Sequence, residues 1–156
     1  MNRKLLIAAL MVLFGVVAMT AAAATGSGDG SDHRLVIGVR VDFTSPTHAE
    51  GTFSACCAVN DTGQAQADVT SFVPHENNTA TFEATETFSG SEGTFVAELR
   101  GRTGPLDSSR HIARGRWRVV SGTGAYEELR GHGVFTAVTN QTTGALTAVN
   151  DGSSRP

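Results

Sequence analysis

The chain alternates between apolar and polar positions over much of its length, with a period of two residues. The clearest stretches are residues 35–43, 81–88, 95–100 and 113–120. A period of two directs successive side chains to opposite faces of a β-strand, so that one face packs and the other meets water. After residue 24 only residues 125–130 can form even a single helical turn. The pattern predicts an all-β, antiparallel protein.

Clusters of turn-forming residues separate these stretches at short intervals. They fall at residues 45–46, 60–63, 74–78, 89–93, 104–105, 121–124 and 140–144. These seven breaks divide residues 35–150 into eight short strands, a spacing typical of a sandwich or a barrel. Eight strands can close into a small barrel that leaves no exposed sheet edge. We therefore predict an eight-stranded antiparallel β-barrel domain over residues 35–150.

The first 24 residues have the pattern of a secretory signal peptide. Arg3 and Lys4 precede the apolar stretch 5–18, and four alanines at 21–24 supply small residues for cleavage. The alternative is an uncleaved membrane anchor, for which this stretch is near the lower length limit. We expect cleavage and export, with a secreted, periplasmic or cell-envelope location. Residues 25–34 are then a flexible lead-in, and residues 151–156 a tail.

Composition and charge exclude several classes of protein. The chain has 156 residues, of which 40% are hydrophobic, and a formal net charge of −3. This length fits one compact domain, and the sign of the charge argues against a nucleic-acid partner. Lys4 is the only lysine, so the mature chain has none for Schiff-base chemistry. The five histidines lack metal-ligand spacing, and we expect neither a metal nor a cofactor.

The most specific segment of the sequence is WRVVSGTGAYEELRGHG at residues 117–133. It resembles the W-x-V-x-x-G-x-G-x-[YF]-x-x-L-x-G-x-G segment of the allene oxide cyclase and dirigent-like β-barrel superfamily, and is most similar to its small secreted bacterial members of unassigned function. Residues 51–53 and 92–95 look like strand openings of the same family. The resemblance spans residues 35–150 and implies an eight-stranded barrel with an apolar interior, which can form homo-oligomers.

The resemblance does not carry over an activity. The acid, asparagine and proline set of the plant cyclases has no counterpart that can be assigned in this sequence, and neither has the carboxylate and arginine pocket of the dirigent proteins. Tyr126 and Leu129 lie three residues apart on one turn, and we expect them to close one end of the barrel.

Glu86 is the leading catalytic candidate. It shares a strand face with Phe82 and Phe88, so it should point inward, where burial would raise its pKa and suit it to acid–base chemistry. The alternative is that Glu86 reaches water near a barrel mouth or pairs with an arginine, and general burial statistics favour this. His111 lies on the face of Trp117 and can share the same interior, although it is beside a predicted turn.

The expected partner of the barrel interior is a small apolar or amphipathic molecule. Several inward positions carry alanine or glycine, which leaves room for one small ligand. The expected ligand-binding residues are Phe82, Glu86, Phe95, Trp117 and Tyr126. A non-catalytic role in binding or structure is the first hypothesis, and a cyclase or isomerase activity through Glu86 is the second.

Charged residues are segregated along the chain. Nine acidic residues and no lysine or arginine lie between Arg40 and Arg100. Six arginines then face the single acid Asp107, namely Arg100, Arg102, Arg110, Arg114, Arg116 and Arg118. This arginine stripe can support surface adhesion to phosphate, an anionic polymer or, less expectedly, a membrane surface. Pairing with acids on neighbouring strands is the alternative that we favour.

Cys56 and Cys57 are adjacent, which places them on opposite faces of a strand. Their Cα atoms are about 3.8 Å apart, closer than disulfides normally require. We predict two unpaired thiols, with Cys57 buried in register with Phe53 and Ala55. The alternatives are an intermolecular disulfide through the exposed thiol and a strained vicinal disulfide.

Overall fold

A computed structural model describes residues 32–155, which form a closed barrel of eight antiparallel strands in chain order. The strands are β1 (His33–Phe43), β2 (His48–Cys57), β3 (Asp61–His75), β4 (Thr79–Gly90), β5 (Thr94–Pro105), β6 (Arg110–Gly122), β7 (Arg130–Asn140) and β8 (Ala145–Arg155). Two 3-10 turns, Glu76–Asn78 and Gly124–Tyr126, are the helical segments of this range. The predicted all-β, eight-stranded antiparallel barrel is confirmed.

The predicted signal peptide lies outside the described residues, as do residues 25–31 of the lead-in and Pro156. Within the described part of the chain, no helix is long and apolar enough to cross a membrane.

The first and last strands extend beyond the predicted domain limits of 35 and 150. β1 begins at His33, and β8 continues to Arg155. Residues 151–154, predicted as part of a tail, pair with β1 on one side and with β7 on the other, and Arg155 pairs with β7. The ion pair between Arg34 and Asp151, at 3.0 Å, joins β1 to β8 within this extension. The extra residues lengthen the pairing between β1 and β8 that closes the barrel.

The barrel has two ends that differ in their loops. The β2–β3, β4–β5 and β6–β7 connections form one end, which we call the lower end and which includes the turn Gly124–Tyr126. The upper end is formed by the other four connections and carries the turn Glu76–Asn78. These names locate the side chains described below.

The lower half of the interior is filled by aromatic rings. Phe53, Phe88, Phe95 and Tyr126 form one cluster, in which neighbouring ring centroids lie 4.8 to 6.0 Å apart. Trp117 is also fully buried. Aromatic side chains of this size bury much apolar area per residue, so this cluster contributes a large part of the buried core.

The upper half of the interior carries smaller side chains. Its buried or half-buried alanines are Ala49, Ala67, Ala80, Ala84, Ala113, Ala137 and Ala148. Phe82 and Phe135 meet there at 5.9 Å between ring centroids. The ring of Phe135 lies where a Cβ atom on Gly101 or Gly115 would be, 2.7 Å from each ideal position. Glycine at those two positions therefore admits the ring.

Candidate functional site

Two polar side chains, Glu86 of β4 and Asn150 of β8, are buried inside the barrel. They are 5% and 0% exposed, respectively. In an eight-stranded barrel, β4 and β8 are on opposite sides of the axis. Asn150 Nδ2 nevertheless donates a hydrogen bond to Glu86 Oε2 at 2.8 Å. The pair therefore crosses the barrel axis.

The strand alternation explains why both residues point inward. Glu86 lies between Ala84 and Phe88 on the inward face of β4, and Asn150 follows Ala148 on the inward face of β8. Glu86 is thus buried. The favoured alternative, in which Glu86 reaches water or pairs with an arginine, is wrong. The next inward residue toward the upper end is an alanine on both strands.

Burial raises the pKa of Glu86 to about 7, and the hydrogen bond from Asn150 opposes this only in part. Both protonation states are therefore populated near neutral pH. A buried carboxyl group with such a pKa is suited to accept or donate a proton.

The hydrogen bonding of the pair is incomplete. Asn150 Oδ1 is buried and has no hydrogen-bond partner among residues 32–155. An unpaired buried polar atom costs about 1 to 3 kcal/mol, so most are paired in native proteins. A carboxylate at Glu86 and the free oxygen of Asn150 are both acceptors. Asn150 Oδ1 is therefore open to a hydrogen bond from an additional donor.

The interior above this pair is apolar and only partly shielded from solvent. Five half-buried side chains pack against the core, namely Phe43, Ala67, Phe82, Ala113 and Leu146. Phe43 and Leu146 lie at or next to the ends of their strands, beside the upper loops. The upper end is thus the less covered of the two.

The lower end is closed by a hydrogen-bonded plug. Tyr126 Oη donates to Asp61 Oδ2 at 2.6 Å, and Asp61 also accepts hydrogen bonds from Thr62 N, from Ser91 N and Oγ, and from Glu92 N. Gly124, with φ of 62°, provides the left-handed residue of this turn. Tyr126 and Leu129 are buried, as expected for residues that close this end.

The same contacts set the ionisation of the two partners. The hydrogen bond from Tyr126, more than any other contact, lowers the pKa of Asp61. Burial, followed by the bond to Asp61, raises the pKa of Tyr126. Asp61 therefore stays ionised and Tyr126 stays protonated at neutral pH. A cavity of about 630 Å³ lies at this end, and Tyr126, Leu129, Val59 and Glu92 are among its lining residues.

The other predicted site residues are distributed over the barrel. Phe95 lies in the lower aromatic cluster, 4.8 Å from Phe88 between centroids. Trp117 Nε1 donates to Val134 O at 3.2 Å, which satisfies its only polar atom. Of the five expected ligand-binding residues, Phe82 lies in the upper half of the interior, and Glu86, the cross-strand partner of Ala97, lies at the boundary between the two halves.

The structure does not bring His111 to Glu86. His111 is half-buried at the upper end of β6, and its Nε2 lies 3.3 Å from Asn78 Nδ2. Within residues 32–155, Asn150 is the hydrogen-bond partner found for the Glu86 carboxyl group. In the same range no group of three or more His, Cys, Asp or Glu side chains is arranged to hold a metal ion.

Asn150 and Asp61 were not among the predicted site residues. Asn150 had a sequence signal, because it continues the inward series Leu146, Ala148 and Asn150 as a polar residue at an apolar position. Asp61 lies in a predicted turn, where an acidic residue is ordinary. Its role depends on loops that are distant in sequence.

The arginine stripe is paired with acids only in part. Arg100 contacts Glu83 at 3.3 Å and Arg118 contacts Glu98 at 2.7 Å across neighbouring strands. Arg110 pairs with Asp107 within one loop. For Arg102, Arg114 and Arg116 no ion pair is found within the described range. The favoured hypothesis, pairing with acids on neighbouring strands, therefore accounts for two of the six arginines.

Comparison with known proteins identifies the family of the chain. A family model described as "Protein of unknown function (DUF3224)" matches residues 58–147. No curated protein and no solved structure matches. The similarity to the allene oxide cyclase and dirigent-like superfamily thus stays a prediction. The match covers more than half of the sequence, from the β2–β3 loop into β8, and the chain therefore belongs to the DUF3224 family.

Proposed function

We propose that the barrel binds one small amphipathic molecule in its upper half, without catalysis. The apolar body of the ligand lies among the upper side chains, and a hydrogen-bond donor on its head group points to Glu86 and Asn150. The observation that carries the proposal is the buried, unpaired Oδ1 atom of Asn150. A ligand N–H or O–H group would supply the missing hydrogen bond.

The side chains above the polar pair favour an apolar ligand body. Alanine occupies the inward positions immediately above Glu86 and Asn150, and Phe82 offers a half-buried ring beside them. Ligand sites are mostly apolar with a few placed polar groups, which is the composition of this region.

The charge of Glu86 adds a dependence on pH. Above its pKa of about 7 the carboxylate favours a donor or a cationic head group, whereas the protonated form can itself donate a hydrogen bond. We therefore expect an amine to bind more tightly at pH 8 than at pH 6, if the amine remains protonated at both values.

The dye N-phenyl-1-naphthylamine tests this proposal, since it is apolar and has a single N–H donor. We expect a saturable rise in dye fluorescence with the wild-type protein. Asn150→Leu should weaken binding by about tenfold, the value of one buried hydrogen bond. Gln66→Leu, at an exposed position of β3, is the matched control and should not change the affinity. Absence of saturable binding, or equal affinities for all three proteins, would contradict the proposal.

The proposal includes export of the protein to the cell envelope or beyond. Its basis is the N-terminal sequence pattern, with charge before an apolar stretch and alanines after it. Expression of the full chain with N-terminal sequencing of the recovered protein tests it. A mature N-terminus near residue 25 is expected, and a retained Met1 in a cytoplasmic fraction would contradict export.

An acid–base role for Glu86 is the alternative within the same site. The pKa of about 7 favours it, because proton transfer is most effective when the pKa is near the working pH. Cyclisation of an oxylipin epoxide and coupling of phenoxy radicals are the reactions to assay. Turnover that is lost in Glu86→Gln would favour catalysis, and turnover that persists in this variant would exclude the role.

The arginine stripe supports a second candidate function, adhesion to an anionic polymer. Arg100 is opposite Arg116, and Arg102 is opposite Arg114, so like charges face each other on neighbouring strands. Such pairs are unfavourable unless an anion lies between them. We expect dextran sulfate to bind with strong salt dependence and neutral dextran not to bind. Arg114→Gln should weaken this binding more than Arg40→Gln, an exposed change on β1.

A further inference from the structure

The two cysteines at the end of β2 have a geometry that the strand alternation does not predict. Cys56 and Cys57 are both exposed and free, so the predicted burial of Cys57 is wrong. Their Sγ atoms lie 2.8 Å apart. Side chains on opposite faces of an extended strand could not meet in this way, so both thiols lie on one side of the chain.

The backbone of Cys57 explains the change. Its φ is 84°, in the left-handed region that residues with a side chain rarely adopt. This conformation ends the strand and turns the Cys57 side chain away from the interior, toward Cys56. Left-handed backbone at a residue other than glycine costs on the order of 1 to 3 kcal/mol, and such strain is concentrated at functional sites. Here its result is the contact between two thiols.

We infer that Cys56 and Cys57 are a redox-active pair that closes reversibly into a vicinal disulfide. The inference goes beyond the proposed ligand site and does not depend on it. The family match begins at residue 58, and so it does not include either cysteine.

The closing reaction needs a disulfide oxidant, of which oxidised glutathione is an example. The thiolate of one cysteine attacks the oxidant, forms a mixed disulfide and releases one molecule of thiol. The second thiolate then attacks the sulfur of the first cysteine and releases a second molecule of thiol. The pair loses two electrons and two protons, which the two released thiols take up. Excess reduced thiol reverses both steps.

The surroundings of the pair permit this exchange. Exposure of both cysteines gives an oxidant access to either sulfur. The hydrogen bond between the sulfurs raises the pKa of Cys56, which keeps that thiol protonated at neutral pH. We therefore expect closure to be faster above neutral pH, where more thiolate forms.

Formation of the Cys56–Cys57 disulfide would also restrict the chain beside the lower-end cavity. Residues 58–60 follow the pair directly and contribute to the cavity wall. Ala58 N already donates to Arg34 O at 2.9 Å, which attaches this segment to β1. A ring formed by Cys56 and Cys57 would restrict the residue that precedes this bond.

Intact-mass measurement of the purified protein tests the inference. The protein is equilibrated with mixtures of oxidised and reduced glutathione, and free thiols are then blocked with iodoacetamide. We expect two dominant monomeric species, a reduced one with two alkyl groups and an oxidised one that has lost two hydrogens and carries none. Dominant glutathione adducts or disulfide-linked dimers at all ratios, with no internally oxidised monomer, would overturn the inference.

Single cysteine variants distinguish formation of the internal disulfide from the ordinary reactivity of an exposed thiol. In Cys57→Ser the remaining Cys56 can form only a mixed disulfide, which should accumulate at least about tenfold over the wild type because no neighbouring thiol resolves it. Cys57→Gly gives the same test in a chain that adopts the left-handed conformation without strain, so it stays folded. Equal glutathione adducts in wild type and Cys57→Gly would count against the pair.

Discussion

The two halves of the barrel interior are filled by different kinds of side chain. In the lower half, aromatic rings fill the axis, and the Asp61 carboxylate fixes the plug by accepting hydrogen bonds from Tyr126, from the adjacent Thr62 and from the β4–β5 loop. In the upper half, alanines surround the contact between Phe82 and Phe135, and the polar pair of Glu86 and Asn150 crosses the axis below them. The lower half is therefore closed by aromatic rings and a hydrogen-bonded plug, while the upper half is where we propose that a ligand binds.

The two halves also differ in the hydrogen bonds of their buried carboxyl groups, Asp61 and Glu86. Asp61 accepts from hydroxyl and backbone donors, and these contacts lower its pKa. Glu86 has one amide donor, and burial raises its pKa to about 7. A fully satisfied buried network rigidifies a fold, whereas the unpaired Asn150 Oδ1 leaves the network around Glu86 one hydrogen bond short.

Removal of one phenylalanine from each half gives the largest expected difference. Phe95→Ala removes a fully buried ring from the lower cluster and should destabilise the protein by about 3 to 5 kcal/mol. Phe82→Ala removes a half-buried ring from the upper half, and we expect a loss of roughly 1 to 2 kcal/mol. Urea unfolding at pH 7 measures both. Equal losses would show that the upper half is packed as tightly as the lower half.

Glu86→Gln should stabilise the protein at alkaline pH. The raised pKa means that the folded state holds a proton between about pH 4.5 and 7 that the unfolded state has lost. Stability of the wild type therefore falls as the pH rises through this window, by about 3 kcal/mol in total. The neutral amide has no such cost, so the variant should gain about this amount at pH 8 and almost nothing at pH 4.

Unfolding curves at several pH values test this, and the difference between variant and wild type is the quantity to follow. Other groups, including Asp61, titrate equally in both proteins and cancel in that difference. A difference that does not change between pH 4 and 8 would mean that the Glu86 carboxyl group is hydrated in the folded protein.

The sequence predicts the barrel because the alternation in β1 and β4 is local. Leu35, Ile37 and Val39 are buried as the period of two requires, and the same period turns Glu86 inward. The partner of Glu86 was not predictable in this way. Asn150 meets it only because β4 and β8 lie opposite each other after closure, which is a property of the whole barrel.

Two local predictions failed for different physical reasons. Residues 151–154 are polar and include a glycine, so they have the composition of a tail, yet β1 and β7 provide partners on both sides. Cys57 continues the inward series of β2, but its positive φ turns it outward. Strand pairing extends a weak strand in the first case, and a single backbone angle ends a strong one in the second.

Tyr126→Phe tests the hydrogen bond that fixes the plug while leaving the ring in place. Loss of a bond to a carboxylate should cost about 1.5 to 3 kcal/mol at neutral pH. Asp61 has a lowered pKa, so its contribution is complete above its unfolded pKa and is lost as the pH falls through the lower folded value. Because unfolded Asp61 is the same in both proteins, the cost of the substitution should stay constant down to about pH 4 and shrink only as the pH approaches the lowered pKa of folded Asp61. Urea unfolding at pH 7 and pH 2 measures it, and an equal cost at both values would contradict the role of the ionised form.

Addition of two methyl groups to one alanine in each half gives the smallest expected effects. Ala97→Val enlarges a fully buried residue of the lower half of β5 and should cost about 1 to 3 kcal/mol through overpacking. Ala84→Val, above Glu86, should change stability by less than about 0.5 kcal/mol, because the upper half has smaller neighbours and room to accept the methyl groups. The same variant should weaken binding of N-phenyl-1-naphthylamine, since the added groups occupy the space proposed for the ligand body. If Ala84→Val is as costly as Ala97→Val and leaves dye binding unchanged, the upper half is a filled core and the ligand, if there is one, binds elsewhere.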